Sequence, residues 1–141
     1  MDVTPSRFFP TSKSTYILTV TGYDDKCLSG ILNAPLLDKS YAFQDLVQLL
    51  LLMDSLMDEA NFPQHCVAPR AFQSAPSGFT LQETLEKPSH PLAVFDINVM
   101  FRQNASWQGS ILWRDRMLES RFRSVLELVG LMDDALTATT V

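Results

Sequence analysis

The sequence predicts an α+β fold, in which two tandem strand–strand–(strand)–helix repeats, ββ(β)α, form an antiparallel sheet with two helices packed on one face. Residues 16–58 align without a gap on residues 95–137 at a constant offset of 79. In both segments apolar side chains recur first at every second residue and then at helical spacing. We therefore expect a single domain over residues 1–141, made of repeat 1 (16–60), a proline-rich linker (61–92) and repeat 2 (93–137).

Each repeat opens with a predicted β-hairpin. The side chains that alternate along the two hairpin strands match between the repeats, and polar, turn-like residues separate the strands in both copies. The matched positions are Tyr16/Phe95, Leu18/Ile97, Val20/Val99, Gly22/Phe101, Leu28/Trp107, Gly30/Gly109, Leu32/Ile111 and Ala34/Trp113. These residues are expected to face the core, because alternate residues of a strand lie on the same side. Residues 37–43 and 116–122 are each long enough for a short third strand.

Each repeat closes with a predicted helix. Asp45 with Gln48, and Ser124 with Glu127, have the capping-box spacing that begins helices. The first helix is apolar nearly all round, so it is expected either to be central or to contact a second subunit. Its most hydrophobic stretch, residues 46–57, is shorter than the roughly twenty apolar residues that a membrane span needs. We expect no membrane association and, with no secretory signal at the N-terminus, a cytoplasmic protein.

The residue types that carry chemistry are sparse. His65, His90 and Cys66 lie in the linker without the paired spacing of a zinc site. Asp54 and Asp133 occupy the same place in the two helices, either as a symmetric pair or as ordinary solvent-facing residues. The sequence has no nucleotide-binding glycine loop and no nucleophile motif. The prediction is a protein that is not an enzyme, with no metal and no cofactor.

One short segment resembles a known family. Asn104, Ser106 and Gly109 follow the N-x-S-x-x-G pattern, which is similar to the second half of the motif of PilZ domains. This resemblance implies binding of a cyclic dinucleotide. The first half of that motif, a pair of arginines spaced R-x-x-x-R, is missing upstream of the hairpin, and Gly109 is also explained by its match with Gly30.

Arginines mark a candidate binding surface on repeat 2. Five of the seven arginines of the chain lie between residues 102 and 123, and strand alternation places most of them on the outer face, opposite the core. Arginine offers bidentate recognition of carboxylates and phosphates. On this surface we expect arginines that can be replaced without loss of stability. The candidate ligand- or partner-binding residues are Arg102, Gln103, Asn104, Gln108, Arg114, Arg121 and Arg123.

Three functions follow, in order of preference. The first is a non-enzymatic protein-interaction or regulatory module that binds a protein or a second copy of itself, with Ile17, Tyr23 and Ile31 as an exposed interface on the sheet of repeat 1. The second is nucleic-acid or nucleotide binding by the arginine-bearing face. The net charge of −5 disfavours long nucleic acid more than a small ligand. The third is a small enzyme with its site between the repeats.

Overall fold

The computed structural model describes residues 15–35, 38–60, 83–84, 88, 90–103 and 106–140. Two βββα units follow one another along the chain. The first unit consists of β1 (Thr15–Asp24), β2 (Cys27–Ala34), β3 (Lys39–Phe43) and α1 (Leu46–Ala60), and the second of β4 (Ala93–Gln103), β5 (Ser106–Trp113), β6 (Leu118–Phe122) and α2 (Val125–Thr140). The strands form one six-stranded antiparallel sheet in the order β3-β2-β1-β4-β5-β6. The predicted α+β class is confirmed.

The two units meet at the centre of the sheet. β1 pairs antiparallel with β4 from Thr15 opposite Asn98 to Val20 opposite Ala93. Each unit on its own would have three strands and one helix, which is little material to cover an apolar sheet face. The β1–β4 pairing makes one continuous sheet with a shared core.

The core lies between the sheet and the helices. Most of the strand residues predicted to face inward are buried, among them Tyr16, Phe95, Leu28 and Trp107. Cross-strand partners such as Leu18 and Leu32 lie on the same face. Both helices contribute to this cluster through the buried residues Leu49, Leu52, Met53, Leu56, Met57, Leu128, Met132, Ala135 and Leu136.

Both hairpins carry an irregularity at the same place. In the first hairpin the register shifts between Val20 and Gly22, and in the second it shifts between Val99 and Phe101. The extra residue is Thr21 in β1 and Met100 in β4. A β-bulge of this kind reverses which residues face the core beyond it.

The predicted third strands exist as β3 and β6. The turn before each contains a residue with positive φ, Asp38 at 54° and Met117 at 52°. The backbone N–H of Asp38 donates to the Pro35 carbonyl at 3.1 Å, and that of Met117 donates to the Arg114 carbonyl at 3.2 Å. Bulky side chains rarely adopt this left-handed conformation, so Met117 is the more strained of the two.

Both helices begin with the predicted capping box. Asp45 Oδ1 accepts from the N–H of Gln48 at 2.8 Å, and the Gln48 side chain accepts from the N–H of Gln44 at 2.8 Å. In α2, Ser124 Oγ accepts from the N–H of Glu127 at 3.1 Å. These contacts satisfy N–H groups at the start of each helix that have no partner within it. Among the helices of the described residues, none has the length and apolar character to cross a membrane.

The tandem-repeat interpretation of these two units stays a prediction. Most of the predicted linker, 61–92, lies outside the described residues. Of its described part, Glu83 forms a bridge with Tyr41, and the N–H of Thr84 donates to the Ser40 carbonyl at 2.9 Å. These two residues therefore lie beside the free edge of β3.

Alanine substitution of two glycines should have opposite effects on stability. A Cβ at Gly109 would overlap the carbonyl oxygen of Asn98, and nothing lies within 4 Å of a Cβ at Gly130 on α2. We expect Gly109→Ala to lower the free energy of unfolding by about 3 kcal/mol or more, because backbone must move to admit the methyl group. Gly130→Ala should raise it by about 0.5 to 1 kcal/mol through helix propensity.

Urea denaturation of both variants would measure these changes. A Gly109→Ala protein as stable as the parent would contradict the close approach of β4 and β5.

Candidate functional site

The bulge in β4 reverses the predicted orientation of two residues. Arg102 was predicted on the outer face, but its side chain is 2% exposed on the core side of the sheet. Phe101, which the alternation places inside, is 52% exposed. The prediction was wrong at both positions because the extra residue, Met100, shifts the alternation by one. Arg102 lies opposite the buried Trp107.

Arg102 is held by two carboxylates of α1. Its Nη1 lies 3.1 Å from Oδ1 of Asp54 and 2.9 Å from Oδ1 of Asp58. These acids are one helical turn apart, so both reach the same guanidinium. A buried charge requires such compensation, since its desolvation is costly. Arg102 therefore fastens the second unit's hairpin to the first unit's helix.

A matching contact joins the first hairpin to the second helix. Tyr23, at the position in β1 that Arg102 has in β4, donates its hydroxyl to Oδ1 of Asp133 on α2 at 2.6 Å. Lys26 Nζ approaches the same oxygen at 2.7 Å. Tyr23 was predicted as part of an exposed interface, and this prediction was wrong because the bulge at Thr21 turns the ring toward α2. Asp54 and Asp133 thus have equivalent structural roles, each bonding the opposite unit's hairpin.

These contacts perturb the ionisation of both groups. Partial burial, and then the hydrogen bond to Asp133, raise the pKa of Tyr23 to about 12. The hydrogen bonds from Lys26 and Tyr23 lower the pKa of Asp133. Burial also raises the pKa of Tyr16 and of Tyr41 above the ordinary value of 10.0. In the folded chain, phenols at these three positions are therefore held in the protonated form.

The remaining candidate arginines do not converge on one surface. Arg114 forms an ion pair with Asp96, in which Nε lies 2.9 Å from Oδ2 and Nη2 lies 2.8 Å from Oδ1. Arg123 pairs with Glu127 in the first turn of α2 at 3.2 Å. Arg121 is exposed on β6 opposite Ser110, which places it on the other side of the sheet from Arg102. Three of the four described candidate arginines therefore already have carboxylate partners.

The polar candidates of the second hairpin are Gln103, Asn104 and Gln108. Gln103 lies at the end of β4 opposite Ser106, and Asn104 lies outside the described residues. Gln108 is half-buried in β5. Gly109, the last residue of the PilZ-like pattern, is buried and packed against the backbone of Asn98 and Val99. Strand packing explains this glycine without a ligand.

The outer face of the sheet is less open than predicted. Ile31 is 9% exposed and Leu112 is 7% exposed, while Ile17 is half-buried. Ile31 lies on an internal strand with Thr19 and Ala42 on either side. The prediction of Ile31 as an exposed interface residue was wrong, and Ile17 retains part of its exposure.

The outward side of α1 is the most exposed apolar helix surface of the described chain. Val47 is 64% exposed and Leu51 is 48% exposed, and the two lie one turn apart on the same side of the helix. We call this pair the α1 patch. At the corresponding positions α2 has Leu126, which is 79% exposed, and Gly130. The α1 patch therefore has no full counterpart on the second helix.

A pocket of about 260 Å³ lies in the second unit, between α2 and strands β5 and β6. Its lining is mostly apolar, with Asp134, Glu119 and Ser120 as polar contributors. The complete lining is Phe95, Ile111, Trp113, Leu118, Glu119, Ser120, Leu131, Asp134 and Ala135. Sequence reasoning missed this pocket, although the alignment carries a signal for it: Ser120 and Ala135 stand where the first unit has the larger Tyr41 and Leu56.

Comparison with known proteins adds no assignment: no family model, curated protein or solved structure matches this chain. Among the described residues, no three His, Cys, Asp or Glu side chains are grouped so that they could hold a metal ion.

Replacing Arg102 tests its structural role. We expect Arg102→Ala to lower the free energy of unfolding by about 2 kcal/mol or more, because it removes a buried side chain and leaves Asp54 and Asp58 as neighbouring like charges. Arg121→Ala, at an exposed position of the same unit, should change it by less than about 0.5 kcal/mol. Chemical denaturation followed by circular dichroism provides both values. Equal stability of the two variants would argue against the ion pairs.

The tyrosines predict an alkaline transition. All three tyrosines have raised pKa values in the folded chain, so folding favours the protonated phenols. Their stabilisation is complete below the ordinary pKa of 10.0 and is lost as the pH rises through the folded values, which for Tyr23 means from 10.0 to about 12. Tyrosinate absorbance should show no ionisation step at the ordinary pKa while circular dichroism stays native, and Tyr23→Phe should remove the step near 12. A native-state step at the ordinary value would refute this assignment.

Proposed function

We propose that this chain is a non-enzymatic interaction module that associates with a second copy of itself through the α1 patch. The single observation that carries the proposal is the exposure of Val47 and Leu51 on one side of a helix whose other side is buried in the core. Exposed aliphatic side chains that share a helix face lose unfavourable contact with water when another apolar surface covers them.

The charge distribution along α1 supports an antiparallel pairing. Its acidic residues, Asp54, Asp58 and Glu59, all lie in the second half of the helix, and the helix has no basic residue. Arg102 offsets one of these three charges, which leaves that half of the helix net negative. A parallel pair would bring the two acidic ends together, whereas an antiparallel pair keeps them apart. A twofold arrangement of this kind uses the same patch on both copies. The α1 patch lies in the half of the helix that an antiparallel partner can approach without charge repulsion.

We also propose that the two βββα units are copies of one ancestral unit. Three coincidences at an offset of 79 residues support this: the bulges at Thr21 and Met100, the paired glycines Gly30 and Gly109, and the positive φ values of Asp38 and Met117. The helix caps and the contacts of Asp54 and Asp133 follow the same offset. On this view the α1 patch is one of the features in which the two copies have diverged.

Binding of nucleotides or nucleic acid by an arginine face has less support. Arg102, Arg114 and Arg123 are each engaged with carboxylates, which neutralise the charge that a phosphate would need. The PilZ-like pattern is not preceded by the R-x-x-x-R arginine pair that the PilZ motif contains.

Polar substitution of the α1 patch tests the proposed self-association. We expect the parent chain to dimerise with rising concentration and Val47→Gln/Leu51→Gln to remain monomeric, because the substitutions remove the apolar surface while keeping helix propensity. Sedimentation velocity over a concentration series measures the distribution of species.

Leu126→Gln is the matched control, since Leu126 occupies on α2 the position that Val47 has on α1. This variant should dimerise like the parent. A parent chain that is monomeric at every concentration, or a double variant that dimerises as strongly as the parent, would remove the proposal.

A further inference from the structure

The pocket of the second unit corresponds to a filled part of the core in the first unit. Tyr41 on β3 lies opposite Leu32, and Ser120 on β6 lies opposite Ile111. Tyr41 is 2% exposed and belongs to the core cluster, whereas Ser120 is exposed. The first unit thus inserts a phenol ring between its outer strand and its helix, and the second unit inserts a hydroxymethyl group.

The helix side of the pocket is also reduced. Leu56 of α1 is fully buried, and the corresponding residue of α2 is Ala135. Trp113 stands where the first unit has Ala34, but its larger ring lines the space without filling it, since about 260 Å³ remain. The volume and the flat apolar walls of Phe95 and Trp113 suit a single aromatic ring.

The polar groups around the pocket indicate what that ring should carry. Three polar residues line the pocket, Glu119, Ser120 and Asp134. A ligand hydroxyl group can donate a hydrogen bond to their side-chain oxygens. Asp134 at the pocket can accept a hydrogen bond, and it disfavours a ligand that bears a carboxylate.

From these observations we propose that the pocket between α2, β5 and β6 binds a small, uncharged phenolic compound. The ring occupies the apolar space that corresponds to Tyr41 of the first unit, and the hydroxyl group donates a hydrogen bond to the Asp134 carboxylate. This site is separate from the α1 patch and does not depend on self-association.

The first test uses para-cresol as the probe, with toluene and para-hydroxybenzoate as matched comparisons. Ligand titrations followed by amide chemical shifts of the full chain should give saturable, one-to-one binding of para-cresol with shifts centred on β5, β6 and α2. Toluene, which lacks the oxygen, and para-hydroxybenzoate, which adds a negative charge, should each bind at least tenfold more weakly. Absence of saturable para-cresol binding, or equal binding of all three compounds, would overturn the proposal.

The second test fills the pocket. Ser120→Tyr restores the phenol of the first unit and should abolish para-cresol binding while preserving or raising the melting temperature. Arg121→Tyr is the control, because it adds the same ring to the neighbouring residue of β6 on the opposite face of the sheet, and it should bind like the parent.

Two further variants keep the test decisive if Ser120→Tyr does not fold. Ala135→Leu copies Leu56 of the first unit and should weaken para-cresol at least tenfold. Asp134→Ala removes the proposed acceptor and should reduce the preference for para-cresol over toluene. Unchanged para-cresol binding in Ala135→Leu, together with an unchanged preference in Asp134→Ala, would place the probe elsewhere and refute the site.

Discussion

The antiparallel pairing of β1 with β4 is the contact on which the rest of the structure depends. It joins two three-stranded sheets into one, so that two helices can cover a single continuous apolar face. Without it, β1 and β4 would be exposed edge strands, and each unit would have only a small separate core. With it, Tyr16 and Ile97 become cross-strand neighbours at the centre of the core.

The pairing also explains why polar contacts cross between the units. Beyond the paired segment each of the two central strands continues into a bulge, and the residue that turns inward meets the helix of the other unit. In one case this residue is Arg102, bound to Asp54 and Asp58, and in the other it is Tyr23, bound to Asp133. The chemistry differs, but each helix is anchored twice, by apolar contacts with its own hairpin and by a polar contact with the other.

Periodicity was sufficient to predict an α+β fold with an antiparallel sheet and two helices, and insufficient to predict the surfaces. Alternation in 16–20 and 95–99 identified the core residues of both central strands, and the capping residues Asp45 and Ser124 located both helices within a residue. The sequence does not mark the two bulges, since neither Thr21 nor Met100 is a residue type that is typical of turns. The extra residue in β4 therefore made the predicted orientations of Arg102 and Phe101 wrong. The predicted arginine surface lost Arg102 as a result. The pocket depends on how α2 packs over β6. The spacing of residues along a single strand does not predict that packing.

The contact between Tyr23 and Asp133 joins residues 110 positions apart, and this separation has a consequence for synthesis. Chains are made from the N-terminus, and units fold as their contacts become available. The first hairpin emerges early, but the carboxylate that anchors its end belongs to α2, which is synthesised about a hundred residues later. Completion of the first unit therefore waits until α2 has been made, and a nascent chain that stops before α2 exposes the end of β1 that the folded protein covers.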